Sequence, residues 1–307
     1  MISVFIDGGH GTTGLEIAER LTNRPELALI TLDDTQRKNV AARRQALNDA
    51  DIVVLCLPDD AAREAVALID NDRTRVIDAS TAHRTAPDWL YGFPEVTGRD
   101  AIASARRVSN PGCYATGFIA LLAPLVKAGL LPADWPYSCN AVSGYSGGGK
   151  AMIAEFEDGP RPTSWRAYAL SLTHKHVPEM QTHCGLVHAP LFAPAVADTH
   201  RGMIVDIPIN AAAMTHRPDP QALRAALHAC YAGSPVVRVI DEYDDAALTI
   251  EHCAQTDRLD LFVFARPDGS QIRLVAALDN LGKGAGGAAV QSLNLMAGLD
   301  EKAGLRL

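Results

Sequence analysis

The chain has 307 residues, which corresponds to roughly two domains at about 150 residues each. Apolar residues make up 48% and charged residues 21% of it, a globular mixture that excludes a disordered chain and a small disulfide scaffold. The net charge of −8 disfavours a broad basic face for nucleic acid. No apolar run reaches the roughly 18 residues of a membrane-spanning helix, so we expect no membrane partner.

The amino terminus lacks a basic start followed by a long apolar stretch, so we expect no secretion signal. The six cysteines form no CxxC pair. Free thiols in a reducing compartment are the favoured interpretation, and we therefore expect a cytoplasmic protein.

The first half of the sequence alternates strands with helices. The predicted strands are residues 2–7, 27–32, 52–57 and 76–78. Leu15, Ala18 and Leu21 recur at helical spacing after the first strand, and Asp59 and Asp60 are placed to cap a later helix. This alternation predicts an α/β fold with a Rossmann-like, doubly wound parallel sheet.

A glycine-rich turn, GGHGTTG at residues 8–14, joins the first strand to the first helix. Small residues there let the backbone approach a pyrophosphate, and the helix amino terminus offers N–H groups and a positive dipole end. The position indicates a dinucleotide site. The residues of this turn that we expect to bind the cofactor are Gly8, Gly11, Thr12, Thr13 and Gly14.

The phosphate state of the cofactor depends on the loop after the second strand. Asp33 and Asp34 stand where an acid usually holds the ribose hydroxyls of NAD. Arg37 and Lys38 follow at once, and cations can neutralise the 2′-phosphate of NADP. A solvated loop is the alternative for all four, so the residues alone leave NAD and NADP open.

The most informative segment is SNPGCYATG at residues 109–117. Asn-Pro-Gly is typical of a turn, and a helical stripe of apolar residues follows until Gly129, a natural stop. Cys113 is therefore expected at a helix amino terminus, where the dipole favours the nucleophilic thiolate. The apolar stripe consists of Phe118, Leu121, Leu122 and Leu125, and the cysteines expected only to fill space are Cys56, Cys139, Cys184, Cys230 and Cys253.

A nucleophilic cysteine beside a nicotinamide cofactor indicates acyl transfer coupled to hydride transfer, through a thioester and a thiohemiacetal. His174 and His176 are the candidate acid and base, because imidazole titrates near neutral pH. The alternative is a metal site. Its ligands would come from His174, His176, His183, Cys184 and His188. We favour the catalytic interpretation and predict no metal.

Together these motifs resemble the N-acetyl-γ-glutamyl-phosphate reductases, in the shorter of their two sequence types. The resemblance covers essentially the whole chain and includes DASTAHR at 78–84, SGYSGGGK at 143–150 and DNLGKGAG at 279–286. It implies reduction of N-acetyl-L-glutamyl 5-phosphate to the 5-semialdehyde by NADPH in arginine biosynthesis, with release of phosphate. Aspartate-semialdehyde dehydrogenase activity and a non-catalytic NADP(H)-sensing protein are the alternatives.

The resemblance also implies residue roles. Cys113 carries a thioacyl intermediate, and His174 is the favoured acid or base, although the choice between His174 and His176 stays open. The substrate and phosphate residues are Ser80, Arg84, Asn110, Lys150, His176 and Glu179. The further cofactor residues are Arg37, Lys38, Ser146, Gly147 and Asn280. The roles of His83 and Lys150 stay open, because the longer sequence type differs at both positions.

The sequence changes character after Gly129. The predicted strands are 138–142, 203–209, 236–240 and 261–265, and the predicted helices are 221–231 and 284–299. Asp268 and Gly269 predict a hairpin turn, so we expect an α+β domain with an antiparallel sheet. The acidic run Asp241, Glu242, Asp244 and Asp245 is expected to be an exposed loop.

The expected domains are residues 1–112 with 281–307, which bind the dinucleotide, and residues 113–280, which carry catalysis and dimerisation as in semialdehyde dehydrogenases. The resemblance places the carboxy-terminal tail back on the first domain. We expect a homo-oligomer, either a dimer or a tetramer.

Overall fold

The computed structural model describes residues 1–243 and 246–307. The chain divides into two compact units: Met1–Pro111 with Ala285–Leu305, and Gly112–Gly284 with Arg306–Leu307. The expected boundaries differ from these by a few residues, and the last two residues fall in the second unit.

The strands are β1 (Ile2–Asp7), β2 (Leu27–Ile30), β3 (Ile52–Leu55), β4 (Arg75–Asp78), β5 (Leu90–Tyr91), β6 (Arg107–Ser109), β7 (Ser138–Gly144), β8 (Trp165–Ala167), β9 (Leu191–Ala197), β10 (Met203–Ile209), β11 (Val237–Val239), β12 (Leu259–Ala265) and β13 (Ile272–Leu278). The helices are α1 (Thr12–Leu21), α2 (Val40–Asp49), α3 (Asp59–Ala67), α4 (Pro94–Thr97), α5 (Arg99–Ser104), α6 (Cys113–Lys127), α7 (Gly149–Glu157), α8 (Val177–Cys184), α9 (Pro220–Tyr231) and α10 (Gly287–Met296).

The first unit contains a parallel sheet in the order β2-β1-β3-β4-β6-β5. The predicted doubly wound sheet is confirmed. Strand β3 ends two residues before its predicted end, because its neighbours also stop there: Leu55 pairs with Asp7 on one side and with Asp78 on the other. Asp59 and Asp60 lie inside the first turn of α3 rather than at its cap, which is Pro58.

Side chains of successive β1 residues point to opposite faces of this sheet. Val4 joins the apolar cluster that includes Ile17 and Val290, whereas Phe5 joins the cluster that includes Leu47. Helix α10, from the end of the chain, packs against α1 and α5. The sheet is therefore covered on both faces.

The second unit contains a seven-stranded sheet in the order β11-β12-β13-β10-β7-β9-β8. The sheet is mixed and not purely antiparallel as predicted: β7 with β9 and β11 with β12 are parallel pairs, whereas the other four neighbouring pairs are antiparallel. Parallel neighbours need a long crossover, and α7, β8 and α8 lie between β7 and β9. The predicted hairpin is confirmed as the antiparallel pair of β12 and β13.

Helix α6 is buried nearly all round, so the predicted apolar stripe is only part of its apolar surface. It approaches the sheet closely at Gly117, where an added Cβ would lie 2.8 Å from Val205 Cγ2. The helix ends at Lys127 with Ala128 as its cap, and Gly129, the predicted stop, follows with a φ of +69°.

The last predicted helix begins with a π-helical turn, Gly282–Gly286, before α10. Asp241 and Glu242 are exposed, as predicted, while Asp244 and Asp245 lie outside the described residues. Over residues 1–243 and 246–307, no helix combines the length and apolar character needed to cross a membrane.

Candidate active site

In the first unit, the glycine turn forms the amino-terminal end of α1. Gly8 adopts a φ of +87°, and its carbonyl accepts from the Gly11 N–H at 2.9 Å. An added Cβ at Gly14 would lie 2.6 Å from the Gly8 oxygen. Gly11 caps α1 without a side chain, so this end of the helix keeps backbone N–H groups for an anion.

This turn borders a cavity of about 780 Å³. Gly8, Gly11, Arg37 and Lys38 are among its lining residues. The Thr12 hydroxyl oxygen in the turn is buried and has no hydrogen-bond partner among the described residues. A buried polar atom without a partner is rare, so the cavity and this hydroxyl fit a dinucleotide.

The two acids after β2 do not line this cavity. Asp33 Oδ1 accepts from the Thr35 N–H and hydroxyl and from the Gln36 N–H, and these bonds lower the pKa of Asp33. Asp34 pairs with Arg37 at 3.2 Å on the surface. Asp33, the acid that could hold the ribose hydroxyls of NAD, thus uses its Oδ1 for hydrogen bonds within its own turn.

Sequence reasoning missed Arg43, which also lines the cavity. Its guanidinium pairs with Asp7 at 2.7 Å. The helical spacing of the sequence could have indicated this inward position. Arg43 lies three and four residues before Ala46 and Leu47, which are both buried, so it lies on the same inner face of α2.

Arg84 and Asn110 lie together in the first unit. Arg84 Nε donates to the Asn110 carbonyl oxygen at 3.0 Å, and Asn110 Nδ2 donates to the Ala285 carbonyl at 3.0 Å. The Asn110 side-chain oxygen is buried and has no hydrogen-bond partner among the described residues. An amide oxygen of this kind is ready to accept from a ligand.

The loop that carries Arg84 is organised by Asp78, which is fully buried. Asp78 accepts from the Ser80 hydroxyl at 2.7 Å and from His83 Nδ1 at 2.6 Å. The Ser80 oxygen accepts in turn from the Ala82 N–H, so its hydroxyl is committed inside the loop. His83 stacks on Trp89 with ring centroids 4.1 Å apart.

In the second unit, Cys113 is the first residue of α6 and is half-buried. The cap residue is Gly112, which supplies no side-chain cap. An added Cβ at Gly284 would lie 2.9 Å from Cys113 Cβ, so only a glycine lets the π-helical turn lie against the cysteine. The predicted helix-start position of Cys113 is confirmed.

The start of α6 is held by a carboxylate from another helix. Glu179 Oε2, in the first turn of α8, accepts from the Gly112 N–H at 3.1 Å. Glu179 Oε1 lies 3.9 Å from His176 Nε2, and both side chains are buried. The predicted residues Cys113, His176 and Glu179 are therefore brought together through Gly112.

His174 lies in the loop before α8, beside His176. The His176 N–H donates to His174 Nδ1 at 3.1 Å, so the neutral ring carries its proton on Nε2. That nitrogen lies 3.5 Å from the Tyr168 hydroxyl. The centroid of the Tyr114 ring, next to Cys113, lies 6.0 Å from that of His174 and 5.9 Å from that of His176.

The two tyrosines of this group stay neutral. Burial raises the pKa of Tyr114 well above its usual value, and Tyr168 and Cys113 raise it further. Burial likewise raises the pKa of Tyr168. Tyr168 was not predicted, and no motif around it in the sequence signals its position beside His174.

Ser146 and Asn280 are also brought together in this unit. Asn280 Nδ2 donates to the Ser146 hydroxyl at 2.9 Å, and Asn280 Oδ1 accepts from the Gly202 N–H at 3.0 Å. Both side chains are buried. Gly147 lies beside Asn280, whereas Lys150 is an exposed residue in the first turn of α7.

The five residues of the metal alternative do not form a group that could share one ion in the part of the chain that the structure describes. Within the described ranges, one group of three side chains lies close enough to share an ion, namely His252, Cys253 and Asp260, and it contains none of the five residues of that alternative. Both Asp260 oxygens there already accept from Arg238, at 2.8 and 2.6 Å, so its carboxylate is committed to a protein cation.

Two family models match this chain. The one described as "Semialdehyde dehydrogenase, NAD binding domain" covers residues 3–105, and the one described as "Semialdehyde dehydrogenase, dimerisation domain" covers residues 113–280. The chain therefore belongs to the semialdehyde dehydrogenase family.

Its relatives indicate a particular member of that family. The chain is 50% identical to proteins named N-acetyl-gamma-glutamyl-phosphate reductase from Brucella suis and Brucella ovis. Each match spans 305 residues, which is 96% of this chain and 98% of the relative. The resemblance inferred from the sequence motifs is thus confirmed.

Solved structures agree on the fold. Aspartate semialdehyde dehydrogenase II from Vibrio cholerae, complexed with ASA, matches with a TM-score of 0.70 at 17% identity, covering 96% of this chain and 98% of that chain. The aspartate semialdehyde dehydrogenase from Francisella tularensis matches with a TM-score of 0.69 at 13% identity, covering 96% and 100%. At these identities the likeness establishes the fold alone.

Proposed function

We propose that this chain reduces N-acetyl-L-glutamyl 5-phosphate to N-acetyl-L-glutamate 5-semialdehyde with NADPH and releases phosphate, a step of arginine biosynthesis. The observation that carries the proposal is the position of Cys113 at the start of α6, with the histidine pair packed around its neighbour Tyr114. The relatives that match almost the whole chain carry the name of this activity.

Cys113 is the nucleophile of the first step. Its thiolate attacks the acyl carbon of the substrate, the bond from that carbon to the phosphate oxygen breaks, and a thioester and inorganic phosphate form. When bound, the nicotinamide cofactor would supply the hydride that reduces the thioester. The helix dipole at the start of α6 favours the thiolate, and the sulfur leaves when the resulting thiohemiacetal collapses to the aldehyde.

His174 acts at the substrate oxygen. The bond from the His176 N–H to Nδ1 makes Nε2 the hydrogen-bond donor of the neutral ring. A donor at Nε2 stabilises the negative charge that develops on the carbonyl oxygen. Complete proton transfer from Nε2 requires protonation of Nδ1, which the His176 N–H opposes, so hydrogen-bond donation is the larger part of the role of His174.

A His174→Gln variant tests this division of roles. A glutamine amide can donate a hydrogen bond but cannot transfer a proton at neutral pH. We expect kcat to fall about tenfold or less, because the glutamine keeps a donor whereas outright loss of one oxyanion donor costs about a hundredfold or more, with a KM close to that of the unaltered chain. A loss as large as that of a Cys113 variant would assign the proton transfer itself to His174.

Arg84 is assigned to the phosphate, and Asn110 to a donor group of the bound substrate. A guanidinium fork suits a phosphate dianion, and the uncommitted Asn110 oxygen suits a donor on the substrate. Ser80 supports this loop through Asp78. Lys150 is exposed and is assigned to the substrate on the resemblance alone.

NADP is the proposed form of the cofactor. Arg37 and Lys38 line the cavity, whereas Asp33 is bonded within its own turn. The glycine turn is assigned to the pyrophosphate. Ser146, Gly147 and Asn280 are assigned to the nicotinamide. The Asn280 amide already bonds to the protein through Oδ1 and through one Nδ2 hydrogen. We therefore expect it to donate its second Nδ2 hydrogen to the cofactor and to hold Ser146 in position.

A second copy of this chain is the proposed partner. The open face of the second unit carries a cavity of about 490 Å³. Several large apolar side chains there are exposed: Trp165 (57%), Leu170 (80%) and Leu172 (63%). Such patches mark interaction sites, and this region matches the dimerisation model.

Light scattering after size-exclusion chromatography is expected to give at least twice the chain mass, with a monomer for Trp165→Glu.

The proposed activity is tested in the reverse direction with the purified full chain. Reduction of NADP⁺ is followed with N-acetylglutamate semialdehyde and phosphate, and then with aspartate semialdehyde. We expect the acetylated substrate to be preferred and turnover to require phosphate. A preference for aspartate semialdehyde would favour the alternative dehydrogenase, and cofactor binding without turnover would favour a sensor.

A further inference from the structure

Arg43 lies at the cofactor cavity of the first unit but is not among the cofactor residues assigned above. It lies on α2 and lines the same cavity as the glycine turn and the pair Arg37 and Lys38. Arg37 is an exposed residue that pairs with Asp34, whereas the Arg43 side chain is only 15% exposed. A less exposed cation in a cavity is better placed to act on a bound anion, because water screens it less.

The Arg43 guanidinium is held in place by one carboxylate oxygen. Nε and Nη2 donate to Asp7 Oδ2 at 3.2 and 2.7 Å. A guanidinium has five N–H donors in a fixed fork, so three remain after these two bonds. The pair therefore fixes the orientation of the cation without using up its capacity to bind.

The charge of Asp7 makes its ion pair with Arg43 relevant to the choice between NAD and NADP. Among the described residues that line the cavity, Asp7 is the single acid. Its carboxylate, left uncompensated, would repel the 2′-phosphate of NADP, a charge that NAD lacks. Arg43 neutralises that acid and adds donors that match a phosphate.

We propose that Arg43 is a specificity-determining residue that binds the 2′-phosphate of NADP(H) and, by neutralising Asp7, removes a repulsion that would otherwise favour NAD(H). This assignment rests on the proposed use of NADPH. It separates Arg43 from Arg44, the next residue, which points to Asp70 on the surface at 3.1 Å and does not line the cavity.

The test compares Arg43→Gln with Arg44→Gln in the full-length protein. Both variants remove one positive charge from the same helix. Dissociation constants for NADPH and for NADH are measured separately by fluorescence titration, without substrate, so the readout does not depend on turnover.

We expect Arg43→Gln to weaken NADPH binding about tenfold to a hundredfold, the usual worth of hydrogen bonds to a charged group. NADH binding should stay within about twofold, since NADH carries no 2′-phosphate for Arg43 to bind. Arg44→Gln should leave both constants within about twofold, as for an exposed ion pair.

Equal weakening of NADPH and NADH by Arg43→Gln would overturn the proposal, because a merely structural role of the ion pair predicts that result. Unchanged NADPH binding would overturn it as well. If Arg43→Gln fails to fold, Arg43→Lys keeps a cation beside Asp7. That variant should lose severalfold in NADPH preference, and an unchanged preference would overturn the proposal.

The unaltered chain separates this proposal from the one on which it rests. If it binds NADH as tightly as NADPH, the proposed use of NADPH fails, and the role of Arg43 fails with it. If it prefers NADPH and Arg43→Gln keeps that preference, only the role of Arg43 fails.

Discussion

The two units build their functional groups over very different distances along the chain. In the first unit, residues 8–14 form the cofactor turn by themselves, with the Gly8 carbonyl bonded to Gly11 and packed against Gly14. In the second unit, the turn before Cys113 is held by Glu179, 67 residues further along. A local motif is readable from its own residues, whereas a long-range contact exists only in the folded chain.

This difference separates two kinds of failure. Damage to the glycine turn should remove cofactor binding and leave the cysteine reactive. Damage around Cys113 should remove chemistry and leave cofactor binding intact. Variants in each unit test whether cofactor binding and cysteine chemistry are independent.

The largest expected effect comes from Cys113→Ala. Because the covalent route requires the thiol, kcat should fall by about four orders of magnitude or more. The dissociation constant for NADPH should stay unchanged, since the cavity lies in the first unit. Initial rates and fluorescence titration measure the two quantities, and retained turnover would contradict the assignment.

Gly14→Ala is the corresponding change in the first unit. The new Cβ would meet the Gly8 oxygen at 2.6 Å and Gly9 Cα at 2.7 Å, and both are backbone atoms that cannot yield. We expect NADPH binding to weaken about tenfold to a hundredfold, because the clash displaces backbone N–H groups whose hydrogen bonds to a charged group have about that worth. Leu15→Ala, at an exposed neighbouring position, is the control.

In the same Gly14→Ala protein, iodoacetamide should alkylate Cys113 at the rate found for the unaltered chain. A slower rate would show that the two groups are not independent.

Glu179→Ala should have a smaller effect. It leaves the Gly112 N–H at the start of α6 without its partner, which costs about 1.5–3 kcal/mol for a bond to a charged acceptor. We expect kcat and the alkylation rate of Cys113 to fall together, by about tenfold or somewhat more.

Glu179→Gln is the matched variant, because an amide oxygen still accepts the Gly112 N–H. It should retain more of both rates than the alanine variant. If the two variants were equally slow, the negative charge and not the hydrogen bond would be what matters.

The cysteines themselves should differ in reactivity in the native protein. Burial raises the pKa of Cys56 to about 12, and Asp78 and Asp7 raise it further. Burial also raises the pKa of Cys253 to about 12, and those of Cys139 and Cys184 well above the usual range. These four thiols stay protonated at pH 8 and should label slowly, because the thiolate is the reactive form.

Cys113 and the exposed Cys230 should therefore label first, as peptide mass mapping after a short exposure would show. Cys56 is the most informative case, because it lines the cofactor cavity although its thiol is expected to stay protonated. Denatured protein, in which all six react, is the control.

Much of the first unit could be predicted from the sequence, because strand, turn and helix follow one another locally. The turn at residues 8–14 and the start of α6 at Cys113 both lie where their own residues indicate. The ends of β2 and β3 could not be predicted, since neighbouring strands determine where pairing stops.

The second unit was less predictable for the same physical reason. Strand β9 pairs in parallel with β7 across a long crossover, which periodicity does not reveal. The bond from Glu179 to Gly112 and the position of Tyr168 beside His174 depend on packing between distant segments. The histidines could be proposed from their motif, but the proton position on His174 required the folded backbone.

The most direct test of the account is the mass of the protein after mixing with N-acetylglutamyl phosphate in the absence of NADPH. We predict one N-acetylglutamyl group per chain, attached through a thioester in the peptide that contains Cys113, with release of one equivalent of phosphate. An unmodified Cys113, or an acyl group on any other residue, would contradict the account.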